Sequence, residues 1–145
     1  MSGIEVVDVA HAIQLAVAPV FLLSGVGVLL GVLTARLARI IDRARTVEER
    51  LRNDPAYESP QVHQHLHGLA RRARLINVAI TLITIAALLV ALVVALLFAS
   101  TFAPMNLATP VAVLFVASMV SLVVGLVAFL LEVRIATAVL RIGRW

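Results

Sequence analysis

The stretch LINVAITLITIAALLVALVVALLFA, residues Leu75–Ala99, decides the fold class. As a helix it is long enough to cross a hydrocarbon core, which takes about 20 residues. Apart from Asn77, its polar side chains are Thr81 and Thr84. A barrel strand would alternate polar and apolar residues, and this run does not. Two further runs of the same kind flank it, from about Ala12 to Ala35 and from Pro110 to Leu131. The whole chain of 145 residues is 62% hydrophobic and 14% charged, with a mean hydropathy of +1.07. Soluble domains carry about 45–50% apolar and about 25% charged residues, so an ordinary water-soluble domain is excluded. The expected fold is all-α, a three-span membrane protein forming one domain over residues 1–145. With no cysteine, disulfides, zinc–thiolate sites and thiol chemistry are excluded. Met1–Glu5 contains no basic residue ahead of the first run, so that run is expected to be a span and not a signal peptide.

The arginines set the expected orientation. Arg36, Arg39, Arg43, Arg45, Arg50, Arg52, Arg71, Arg72 and Arg74 all lie between the first two runs. Arg134, Arg141 and Arg144 follow the third, while the N-terminal tail holds only Glu5 and Asp8 and the link Ser100–Thr109 has no charge. Lys and Arg concentrate on the cytoplasmic side of a bilayer. Residues 36–74 and the tail 132–145 are therefore expected in the cytoplasm, with the N-terminus outside.

The segment 36–74 does not read as a loop. Leu37, Ile40, Ala44, Val47 and Leu51 recur at helical spacing, and Val62, Leu66, Leu69, Ala73 and Ile76 do so again after Asn53-Asp54-Pro55 and Ser59-Pro60. The first group of breakers ends a helix, and Ser59-Pro60 starts one as an N-cap followed by proline. The two stripes mirror each other about that turn, Leu51 opposite Val62, Val47 opposite Leu66, Ala44 opposite Leu69 and Ile40 opposite Ala73. This predicts an antiparallel helical hairpin with a heptad seam. Each arm would reach about 25 Å beyond the membrane at 1.5 Å per residue, and the first two spans would belong to helices of about 40 residues.

No ionisable residue falls in the middle of a span, so the carboxylates and histidines that proton relays and coupled transporters need at that depth are missing. A pore would have to be oligomeric. Gly27-x-x-x-Gly31 and Ser121-x-x-x-Gly125 are small-residue pairs of the type that lets helix backbones approach, within one chain or between copies. Pro19 removes one backbone donor from the first span and is expected to kink it.

Few residues carry candidate chemistry. His63 and His67 stand i,i+4 and could share a metal ion, with Glu58 the nearest further ligand; His65 falls on the opposite side of the helix. There is no nucleophile–base pair, glycine-rich phosphate loop or carboxylate pair. No enzyme activity, cofactor or nucleic-acid partner is expected. The run Arg39-Ile40-Ile41-Asp42-Arg43-Ala44-Arg45 is denser in charge. Asp42 can orient the neighbouring arginines, and the set is suited to the C-terminal tail, a neighbouring subunit or anionic lipid headgroups on the cytoplasmic side. Glu132 closes the third span at the depth where the first span ends at Arg36 and the second begins at Arg74. A carboxylate at the edge of hydrocarbon needs a cation, so Glu132 is expected to pair with Arg36 or Arg74, with Asp42 near Arg141–Arg144.

The run Leu30-Gly31-Val32-Leu33-Thr34-x-Arg36-Leu37-x-Arg39-Ile40-x-Asp42-Arg43-x-Arg45, followed by Leu131-Glu132-Val133-Arg134, resembles a family of small bacterial membrane proteins, the domain of unknown function 2721. The resemblance covers nearly the whole chain and implies a bacterial inner-membrane protein. It brings no activity with it. The residues favour a homo-oligomeric scaffold or an accessory subunit of a membrane complex, ahead of an oligomeric ion channel and of a metal- or lipid-sensing module.

Overall fold

The computed structural model describes residues 5–103 and 105–142. Three helices account for nearly all of them: α1 over Val6–Asn53, α2 over Pro60–Phe102 and α3 over Ala108–Ile142, with no strand among the described residues. All three are long and apolar enough to cross a membrane, reaching mean hydropathies of 2.4, 3.1 and 2.8 over their most apolar 18-residue windows. No more than 22% of any of those windows is buried within the chain. Most of the apolar surface therefore faces outward, the arrangement that lipid as solvent permits and water does not.

The breakers between α1 and α2 act where their chemistry predicts. After Asn53 the chain makes a short 3-10 turn over Pro55–Tyr57, with the Asp54 carboxylate accepting from the Ala56 N–H at 3.1 Å. Ser59 then caps α2, its hydroxyl accepting from the Val62 N–H at 3.2 Å ahead of Pro60. The first turn of α1 carries the acidic Asp8 and its last turn the basic Arg50 and Arg52, the signs that suit the helix dipole. The Arg50 guanidinium also sits 5.8 Å over the Tyr57 ring. The helix continues through Pro19. The third helix goes on past Glu132, so residues 132–142, expected as a tail, are helical. Ile135 and Ala136 are half-buried there, and no glycine or proline stands between Glu132 and Gly143.

The chain forms two compact units, Met1–Leu30 with Leu82–Val123 and Gly31–Thr81 with Val124–Trp145. In the first, Ala12, Ala16 and Val26 of α1 are buried, as are Ile83, Ala86, Val90 and Val93 of α2 and Ser118 of α3. The Ser121 hydroxyl donates across to the Leu82 carbonyl at 2.6 Å. Interhelical hydrogen bonds of this kind contribute about 0.6 kcal/mol on average in membrane proteins. Ser121→Ala is accordingly expected to cost about that much in a detergent unfolding titration, without altering secondary structure. An apolar cleft of about 570 Å³ lies in the same unit, with Leu15, Leu22, Val93 and Phe115 among its walls.

In the second unit the burial follows the two stripes read from the sequence. Ile40, Leu69 and Ile76 are buried, and Leu37, Ala44, Val47, Leu51, Val62, Leu66 and Ala73 are half-buried, whereas Ile41, Asp42, Arg43, Arg45 and Thr46 are exposed. Leu33 completes this core from α1, and Ala128 and Glu132 enter it from α3.

Candidate functional site

The carboxylate of Glu132 is wholly buried, and two guanidiniums hold it. Arg36 donates from Nε and Nη2 to Oε2 at 3.1 and 2.7 Å, and Arg72 donates from Nε to Oε1 at 3.0 Å. Each carboxylate oxygen thus receives one arginine. Arg36 is 28% exposed and Arg72 15%, and the Arg36 guanidinium also lies 5.6 Å from the centre of the Phe129 ring, one turn before Glu132. Charge-assisted contacts of this length are among the stronger hydrogen bonds in proteins. They offset the cost of taking a carboxylate out of water.

Helix phase explains why these three residues meet. On α2 the residues Leu69, Arg72, Ile76, Ala79, Ile83, Ala86, Val90 and Val93 alternate at steps of three and four, and all but Arg72 are fully buried. On α3 the same steps join Ser118, Ser121, Gly125, Ala128 and Glu132, and on α1 Arg36 stands between Leu33 and Ile40. Each charged residue takes the place of an apolar one in a buried stripe. Together they form a single ionic layer.

Of the two expected partners, Arg36 is in this layer and Arg74 is not. It is two residues beyond Arg72, about 200° around the helix, and it is exposed. Arg72 is the residue that sequence reasoning missed. Its signal was present, because the heptad of the second span continued backwards passes through position 72.

Above the layer opens a cavity of about 110 Å³ lined by Arg36, Arg39, Ile40, Arg43 and Arg72. Arg39 and Arg43 form its exposed side; the Arg39 Nε donates weakly to the Ala35 carbonyl at 3.4 Å. Neither reaches a carboxylate at ion-pair distance among the described residues. The orienting part expected of Asp42 belongs to Glu132 instead: Asp42 is exposed and makes no ion pair with a described residue, and Arg45 is exposed as well. The expected neighbourhood of Asp42 with Arg141–Arg144 lies outside the described side chains.

The histidines are not drawn into a ligand set. His63 Nε2 meets Glu58 Oε1 at 3.1 Å on the exposed start of α2, His67 is exposed, and no group of three potential ligands converges among the described residues. The two small-residue pairs separate. Ser121 and Gly125 lie on the buried stripe of α3, while Gly27 and Gly31 are exposed, and a Cβ built on either would meet nothing within 4 Å.

Residues 16–142 match the family described as Protein of unknown function (DUF2721). The chain belongs to that family. The matched DUF2721 region takes in the whole ionic layer and the arginine-lined cavity. No curated protein and no solved structure matches the chain.

Proposed function

We propose that this DUF2721 protein is a non-catalytic, three-span protein of the bacterial inner membrane that works by lateral association, as a homo-oligomeric scaffold or as an accessory subunit of a membrane complex. The nine arginines between the first two apolar runs support a cytoplasmic, antiparallel hairpin over residues 36–74, with the C-terminus on the same side and the N-terminus outside. The ionic layer then stands at the inner face of the bilayer.

One observation carries the associative reading. Gly27 and Gly31 are exposed, and a Cβ at either would meet none of the described residues packed against α1 within 4 Å. Small residues at this spacing admit close helix approach in lipid, where packing and not hydrophobic burial drives association. A Cβ at either position meets no described atom outside its own stretch of α1 within 4 Å, so leucine there is expected to leave the fold intact and to obstruct a neighbour. In native mass spectrometry of the detergent-solubilised protein, the wild type is expected as an oligomer, and Gly27→Leu and Gly31→Leu as smaller species. A monomeric wild type, or identical spectra for all three, would refute the association.

A further inference from the structure

We infer that the cavity beside Glu132 is a binding site for a phosphate group, with a lipid headgroup at the inner leaflet as its source. Four of its five lining residues are arginines, and among the described residues the only carboxylate at ion-pair distance from any of them is Glu132. That single charge is already engaged by Arg36 and Arg72, so the cluster retains excess positive charge on the cavity side. Like charges gathered in a half-enclosed space repel, and an anion relieves that repulsion.

The donors are arranged in two classes. Arg36 and Arg72 are clamped by Glu132 through some of their N–H groups, which leaves the remaining ones in fixed positions at the floor. Arg39 and Arg43 are exposed and not committed to a described carboxylate, so they can close over a ligand from the rim. Forked guanidiniums approaching from α1 and α2 suit a tetrahedral oxyanion, which has oxygens for several forks at once, better than a planar carboxylate. The cavity of about 110 Å³ exceeds several-fold the roughly 30 Å³ that one water occupies in the liquid. Glu132 serves here as a positioning residue. It does not touch the ligand.

The choice of a lipid source rests on the proposed membrane orientation, since the buried apolar Leu33 lies one turn from Arg36 and the cavity would open at headgroup depth. The phosphate chemistry does not depend on that orientation. The test uses the full-length protein, stripped of lipid in detergent, with two probes. One is inorganic phosphate; the other is phosphatidylcholine nanodiscs doped with phosphatidic acid. Two double variants remove equal charge: Arg39→Gln with Arg43→Gln, on the cavity rim and outside the clamp, and Arg45→Gln with Arg74→Gln, away from it.

At least one probe is expected to raise the thermal transition of the wild type, and the rim variant to lose about tenfold or more in affinity, the scale of one charge-assisted contact. The distal variant should retain wild-type binding. Stabilisation by phosphatidic acid alone assigns the lipid source, and stabilisation by both probes shows that the phosphate group itself suffices. Binding of inorganic phosphate alone would keep the site and remove its placement at the headgroups. Equal losses in the two double variants, or no stabilisation by either probe, would overturn the proposal.

Discussion

Replacing Glu132 by glutamine is expected to cost about 3–5 kcal/mol of stability in detergent, the loss seen when one partner of a buried ion pair is removed. Glutamine keeps the shape of the side chain, so the loss is electrostatic and leaves no cavity. It strands two guanidiniums that the fold has drawn to 28% and 15% exposure. Double-mutant cycles should show strong non-additivity between Glu132→Gln and either Arg36→Gln or Arg72→Gln, and simple addition with Arg74→Gln. Additive losses with both Arg36 and Arg72 would mean that the layer does not hold the helices. The converse substitution separates stability from specificity. Replacing all three charges by apolar residues of similar size should restore much of the stability, because no charge is then left buried and unpaired. The same triple variant should lose any phosphate binding, since the floor of the cavity is gone.

The second large effect is expected at the buried stripe of α2 in the second unit. Leu69 is 3% exposed and its neighbour Ala70 is exposed, so two adjacent aspartates test the heptad directly. Leu69→Asp buries a carboxylate in an apolar stripe where Arg72, one turn on, is already held by Glu132, and should cost several kcal/mol. Ala70→Asp should be tolerated to within about 0.5 kcal/mol, as surface substitutions usually are. Limited proteolysis reads the difference: cleavage at the exposed turn Asn53–Glu58 should accelerate in Leu69→Asp and remain at the wild-type rate in Ala70→Asp. Equal rates in the two variants would show that the stripe at 62, 66, 69, 73 and 76 is not a packed seam.

The end of α1 and the start of α2 were legible in the residues because they depend on local chemistry, whereas the end of α3, which runs on past Glu132, was not. Continuous apolar runs need no partner to declare themselves, and Asn53, Asp54, Ser59 and Pro60 act on the backbone within a few residues of their own positions. The stripes of the second unit were legible for a related reason: a seam repeats, so one misplaced residue does not hide its phase. Glu132 could also be marked as a residue in need of a cation, from its position at the end of an apolar run. The partner could not be chosen by depth. Arg72 and Arg74 lie within about 3 Å of the same height on α2, and only the rotation of the helix distinguishes them. That rotation follows from the packed stripe Leu69, Ile76, Ala79 and Ile83 and not from charge.

Rotation likewise decided the small-residue pairs. Gly27-x-x-x-Gly31 and Ser121-x-x-x-Gly125 are the same motif in sequence, yet one is uncovered and the other lies on a buried stripe. Each sits where the heptad of its own helix carries it. The arginine-lined cavity belongs wholly to tertiary structure, because Arg72 joins Arg36, Arg39 and Arg43 from another helix. Sequence by itself determined the three apolar helices, the turn between α1 and α2 and which charge needed a partner, since spacing and capping act locally. Tertiary packing decided which arginine answers Glu132, which glycines stay uncovered and where a cavity opens, because those outcomes depend on how each helix is turned about its own axis.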